Sequence, residues 1–445
     1  MRTDRALLTI FACSALVTTS GQASAGDLVI HAGHLIDGVS KTPRSHVSIL
    51  IRDDRITGVQ PGYVTPVGAD VIDLSTETVL PGLIDCHVHL LWTSHKGDPV
   101  RKAVTRSGYD NLIDGVNDAR ATLMAGFTSV RDVGGETEAV IALKHAIDAG
   151  TVPGPRMWVS GYPLGPTGGH GDPLNGMNDE LFKAVDIADP VEGRLVIDGP
   201  EAAQKAVRLL HREGVDLIKI MPSGGVTTVG DDPAQQVMSN EEIKAVVDAA
   251  HALDMKVAAH AHGEKAINNA LSLGVDSIEH GTYGDAASYA LFKQTGAYLV
   301  PTLLVQEKVY ERAKDHPEDL NPSAAAKALA VAPLANRNLH DAYLSGVKIA
   351  FGTDTFGLSA HGENAQEFPL MVQAGMTPAD AISAATFNAA DLIGDSPDIG
   401  SVQAGRYADI VAVKGDPLKD ISVLEDVDFV MKAGKVYKSD GHPVQ

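Results

Sequence analysis

Between Leu83 and Asp354 the chain alternates short apolar runs with longer, Ala-rich stretches of helical period. The runs are Leu83–His89, Phe127–Val133, Met157–Tyr162, Asp216–Met221, Lys256–His262, Asp276–His280, Tyr298–Leu304 and Lys348–Asp354. Runs this short and this continuously apolar predict buried parallel strands. Most gaps hold segments such as Pro200–Arg212 and Asn240–Leu253, whose apolar positions recur every three or four residues and predict helices. Eight strands alternating with helices predict an α/β fold, a TIM-like (β/α)8 barrel over 81–399. A doubly wound sheet is the competing topology. Three insertions, Pro163–Leu195, Gly224–Met238 and Gln306–Pro322, follow strands, where a barrel carries its catalytic loops.

The two ends of the chain follow a different period. Asp27–His31, Val47–Ile51, Ile56–Val59 and Asp70–Asp73 predict short strands, as do Asp409–Val413 and Val427–Tyr437, punctuated by Gly405, Gly415 and Gly434. Neither end buries much alone, so 26–80 and 400–445 are expected to form one small β-sandwich. Before them, Arg2 and Arg5 precede an apolar stretch from Ala6 to Val17 and the small-x-small run Ala23–Ala25. That order predicts a signal peptide, 1–25, cleaved near Ala25, and export to the periplasm or medium.

Composition changes this picture little. Hydrophobic content of 44% and charged content of 21% suit a soluble enzyme. The formal charge of −21 argues against binding nucleic acid through a basic surface. Loss of the leader removes Arg2, Arg5 and Asp4, a net +1, and takes the charge to −22. Of the two cysteines, Cys13 leaves with the leader and Cys86 remains, so no internal disulfide is expected. Beyond the leader no stretch is apolar enough for a membrane anchor.

Candidate chemistry sits at strand ends. Strand alternation sends His87 and His89 to one side and Val88 to the other, which makes a chelating pair. Lys219 stands in the apolar run Asp216–Met221, where an ammonium must be paired or chemically altered. One reading is a buried ion pair; the other is a carbamate formed with CO2, an anionic ligand able to bridge two metal ions. His260, His262 and His280 end the next two strands, and Asp354 ends the last, where it is placed as a proton shuttle. His170 and His361 lie in loops and are candidates for holding substrate. Arg131 and Asp132 read as a structural ion pair or support for the site, and Glu279, alternating away from His280, as packing or support.

His-x-His, Lys, His, His and Asp in this order resemble the amidohydrolase superfamily. The run Leu80–His89, Ala385–Ala390 and Gly405–Ile410 carry the likeness along nearly the whole mature chain. More narrowly, Gly168–Gly171, His260–Gly263, Ile278–Gly281 and His361–Asn364 resemble the imidazolonepropionase-related branch of binuclear-zinc Xaa-Pro and Xaa-Arg/Lys dipeptidases and ochratoxin-hydrolysing carboxypeptidase-like enzymes. The resemblance implies two divalent ions, typically Zn2+, with His87 and His89 on the buried one and His260 and His280 on the exposed one. N6-carboxylysine at Lys219 would bridge them, and Asp354 would touch the buried ion. His262 rivals His260 as ligand; the assignment preferred here gives His260 to the metal and His262, with catalytic Asp354, to the substrate. The implied reaction is attack of a metal-bridging hydroxide on an amide beside a free carboxylate, in a dipeptide or an N-acyl amino acid. Many members are homo-oligomers. A cyclic-amide hydrolase or lactonase would use the same ligands; a deaminase is disfavoured by Lys219, and a non-enzymatic binding protein by the intact ligand set. A pocket for a cationic side chain would need carboxylates, and Asp172, Asp231, Asp232 and Glu363 are the candidates.

Overall fold

The computed structural model describes residues 27–40, 42–93, 105–172, 175 and 196–444. The predicted leader and Cys13 lie outside them, as do parts of the insertion Pro163–Leu195. Among the described residues no helix is long and apolar enough to cross a membrane.

The two chain ends do meet, in one continuous sheet rather than two separately paired ones. β1 (Leu28–Leu35), β2 (Arg44–Arg52), β3 (Arg55–Pro61) and β4 (Asp70–Pro81) come from the N-terminal side. The C-terminal strands are preceded by eight central ones. Those are β5 (Leu83–Val88), β6 (Phe127–Asp132), β7 (Arg156–Val159), β8 (Leu217–Ile220), β9 (Lys256–Ala261), β10 (Ser277–His280), β11 (Tyr298–Val300) and β12 (Lys348–Ile349). β13 (Ile410–Val413), β14 (Val427–Lys432), β15 (Lys435–Ser439) and β16 (His442–Pro443) follow. The sheet order is β16-β15-β14-β13-β4-β1-β2-β3, with β4 pairing β1 on one side and β13 on the other. Ile56 N donates to Arg406 O and Ala408 N to Asp54 O, so the β3 edge is hydrogen-bonded to the segment leading into β13. The sheet thereby bends around its own core of Ile30, Ile49, Ile56, Val79, Ile410 and Phe429.

The eight central strands form parallel sheets of three, β5-β6-β7, and five, β8 to β12. Backbone bonds cross both seams between them. Leu164 N donates to Lys219 O and Met221 N to Leu164 O; on the other side Cys86 N donates to Phe351 O and Asp354 N to His87 O. Helices alternate with the strands as the period predicted, for example Pro200–Glu213 and Asn240–His251. Their ends follow local chemistry. Ser239 and Glu242 make a reciprocal capping box, Pro200 opens its helix, and Gly214 closes that helix in the left-handed region.

The later strands are shorter than the apolar runs suggested. β11 stops at Val300 because Thr302 takes a positive φ of 50° and Leu303 already begins the helix Leu303–Asp315. β12 is only two residues, and the run beyond it continues to Asp354, also at positive φ. Non-glycine residues rarely adopt that conformation, and here it marks the rim where the functional side chains converge.

Candidate metal centre and active site

His87 and His89 leave β5 on the same side, as alternation requires, and both are buried. Their Nε2 atoms face one Asp354 oxygen at 3.5 and 3.1 Å. These three form one compact donor group, and His260, His262 and His280 form a second; within each, the donor atoms lie within 4.8 Å of one another. Lys219 lies between, 1% exposed, with Nζ 3.4 Å from His87 Nε2. Every metal-ligand candidate is therefore brought to one place. The two sides are continuous, because the His87 and His280 rings sit 5.2 Å apart.

Each imidazole is held by its far nitrogen. His87 Nδ1 donates to Glu279 (2.8 Å), His89 Nδ1 to Gly134 O (2.9 Å), and His262 and His280 pair through Nδ1 with the Thr282 and Thr302 hydroxyls (2.8 and 2.7 Å). His260 is the exception: its Nε2 pairs with Gly224 O at 3.3 Å, leaving Nδ1 available. Such outer partners fix the tautomer and aim the ligating nitrogen. Thr302 is itself set by Glu367, whose two oxygens accept from Leu303 N (2.9 Å) and Leu304 N (2.6 Å). That carboxylate caps a helix whose own N-cap side chain makes no such bond.

Glu279 does more than pack. It accepts from His87 on one oxygen and from Arg131 (2.7 Å) and Ser277 (2.5 Å) on the other, while Arg131 also donates to Cys86 O and Ser277. Burial raises its pKa, but Arg131 foremost, then His87, outweigh burial and hold it well below the ordinary value. The result is a buried carboxylate–imidazole relay beneath the site. Arg131 supports it rather than pairing with Asp132, which accepts instead from Leu90 N and Gly134 N.

Electrostatically the centre disfavours charge on its nitrogens, because burial strips them of water. Burial pushes the Lys219 ammonium down to about 8, against the pull of Glu279 and Asp354. Burial, aided by Lys219, pushes His87 down to about 4; burial and neighbouring imidazoles drive His260 and His280 well below their ordinary value. Asp354 goes the other way: burial raises it, yet His87 and His89 hold it ionised. Neutral imidazoles, one carboxylate and a reluctant ammonium are the donor set that divalent cations take. The residues fit a metal centre.

The centre opens into a cavity of about 340 Å³. His170, Trp92, Tyr162, Met221, Val226 and Phe356 line it, along with Val305, Gln306 and Val309 from one helix. Trp92 stacks on His89 at 4.3 Å. His170 hydrogen-bonds Thr228 and lies 4.3 Å from the His260 ring; a Cβ at Gly225 would collide with the His170 imidazole. His361 is the predicted substrate residue that the structure places elsewhere. It is buried 3.8 Å from Asp118 of the helix Gly108–Met124 and does not line the cavity. Cys86 is a free, buried thiol that burial pushes up to about 12, so it is not a nucleophile.

An amidohydrolase family model matches residues 78–437. The chain belongs to the amidohydrolase family. An ochratoxinase from Aspergillus niger is 34% identical over 430 residues, 93% of this chain and 87% of that protein. A Xaa-Pro dipeptidase solved with methionine bound in its active site is 39% identical, covers 93% of this chain and all of that one, and superposes with a TM-score of 0.87. A prolidase complexed with N-methylphosphonate-L-proline is 33% identical with a TM-score of 0.83, covering 93% of this chain and 100% of that one. These relatives support hydrolysis of amide and peptide bonds by this chain.

Two predictions arise from the centre. Replacing Glu279 by Gln leaves His87 without an anionic partner and Arg131 without its counter-charge; metal affinity should fall about 10–100-fold, as read by chelator competition. The second concerns pH. Burial holds His87 and His170 down to about 4 and His262 to about 3, against an ordinary value of 6.5. Between those values the unfolded chain binds protons that the folded one refuses, so folding stability falls as pH falls. Unfolding midpoints of the metal-free protein should drop from about pH 6.5 toward pH 4; a flat profile there contradicts the assignment.

Proposed function

We propose that the protein hydrolyses an amide or peptide bond adjacent to a free carboxylate, acting as a dipeptidase or carboxypeptidase-like enzyme whose substrates extend to N-acyl amino acids. The observation that carries this reading is the pair of facing donor groups, His87–His89–Asp354 and His260–His262–His280, at the end of one cavity. The amino-acid and prolyl-phosphonate ligands of the two solved relatives favour a substrate with an α-carboxylate. In this proposal the eight strands close into a barrel, residues 81–399, and residues 26–80 and 400–445 form the smaller β unit. Export after cleavage of residues 1–25 accompanies it.

His87 and His89 would hold the buried ion and His260 and His280 the exposed one, with Lys219, carboxylated on Nζ, between them and Asp354 at the buried ion. A carbamate there replaces a desolvated cation by an anion facing two dications, which removes the electrostatic conflict described above. Zinc suits these imidazole and carboxylate donors. When bound, the metal pair supplies an activated water and polarises the carbonyl to be attacked.

The chain's own residues do the rest. Asp354, kept ionised by His87 and His89, takes a proton on its carboxylate and returns it to the leaving nitrogen. His262 is assigned to the substrate because it lies beyond the last β9–β10 pair, whereas His260 stands level with Glu279 in that ladder. With Nδ1 engaged by Thr282, its Nε2 is left for the carbonyl oxygen or the substrate carboxylate. His170, lining the cavity beside His260, is placed to hold the carboxylate.

The test is a screen of Xaa-Pro, Xaa-Arg/Lys and N-acyl amino-acid substrates with zinc and bicarbonate supplied. Hydrolysis of one of these classes is expected; activity confined to cyclic amides or lactones contradicts the reading. Lys219→Ala should lose the second metal and reduce kcat/KM on the order of 100-fold or more, whereas two metals and full activity in that variant would exclude the carbamate.

A further inference from the structure

One buried polar group in the cavity wall has no task in the chemistry above. Gln306 lies in the first turns of the helix Leu303–Asp315, is 5% exposed, lines the cavity, and its Oε1 has no hydrogen-bond partner. A buried amide oxygen without a partner is costly, and its cost is relieved when a ligand donates to it. Val305 and Val309 flank it on the same helix, and Met221, Val226, Trp92 and Phe356 extend the apolar lining.

Charge is missing from this wall. Among the described residues the carboxylates lining the cavity are Asp354, which belongs to the metal centre, and Asp172, which accepts from Gly168 N at 2.8 Å. The other candidates for a cationic pocket are engaged elsewhere. Asp231 is bound by Lys327 and Gly225 N, and Asp232 caps its own turn through Ala234 N. Glu363 does not line the cavity. An ammonium or guanidinium laid against the Val305–Val309 face would leave water where that helix lines the cavity with no carboxylate.

We propose that Gln306 is a specificity-determining residue. Its Oε1 accepts a hydrogen bond from a substrate N–H, while the Val305–Val309 face receives an uncharged apolar side chain. The favoured substrates are then dipeptides and N-acyl amino acids with aliphatic or aromatic side chains, and lysine and arginine side chains are rejected. This rests on the amide-hydrolase reading of the same cavity.

Norleucine and lysine differ only in the terminal group, so substrates carrying one or the other, at each position in turn, read the wall directly. At the position that meets the helix, kcat/KM for norleucine should exceed that for lysine by about 100-fold. Gln306→Leu should lower kcat/KM about 10-fold at unchanged metal content, and Gln306→Glu should shift the norleucine-to-lysine ratio toward lysine at least about 10-fold. Equal or better turnover of lysine at both positions, or a ratio unmoved by Gln306→Glu, overturns the proposal while leaving hydrolysis intact. Calorimetric binding of free norleucine and lysine to the metal-loaded protein separates the two readings. Norleucine binding weakened by Gln306→Leu, without turnover of any amide, would support the subsite and exclude the hydrolase; neither binding nor turnover would overturn both.

Discussion

Five imidazoles and a lysine ammonium are buried together at two adjoining donor groups, of which only one contains a carboxylate, Asp354. Lys219 is the sharpest case. It lies within β8 between Ile218 and Ile220, its Nζ is 3.4 Å from His87 Nε2, and the anions that act on it, Glu279 and Asp354, are already committed to His87, Arg131 and His89. The proposed carbamate on Lys219 would relieve this by replacing a desolvated cation with an anion. The rest of the site is arranged around that condition, because Glu279, Gly134, Thr282 and Thr302 each engage a nitrogen of an imidazole and leave the other for the centre.

The parallel strands supply this convergence because they all deliver their C-terminal ends to one face. Local strain completes it. His280, Thr302 and Asp354 have φ values of 68°, 50° and 55°, each at or just beyond a strand end where the chain turns into a loop or helix. Glu367, buried from a later helix, holds Leu303 and Leu304 and so sustains the turn at Thr302 that aims His280. Strain at the rim is thus over-determined by bonds behind it.

Much of this was legible in the order of residues. Short apolar runs, most with their chemistry at the C-terminal end, place the donors, since period and strand direction dictate which side chains share a face. What escaped is long-range. Glu279 reads as packing or support, because alternation turns it away from His280; that the histidine it supports is His87, on a different strand and 192 residues earlier, is not visible in the sequence. Nothing near Glu367 or Gln306 in the sequence announces a carboxylate cap or an unpartnered amide, as both depend on what packs against them. His361 sits in a motif that looks functional, yet the helix Gly108–Met124 contributes Asp118 to its surroundings and the ring stays out of the cavity. The two chain ends were expected as a sandwich; the strand pattern was right, but pairing between β4 and β13 joins them into one bent sheet.

Anomalous scattering from crystals of the metal-loaded, bicarbonate-treated protein tests the central claim most directly. The account predicts two metal peaks, one among His87, His89 and Asp354 and one beside His260 and His280, with added density on Lys219 Nζ joining them. A single peak beside an unmodified lysine would contradict it.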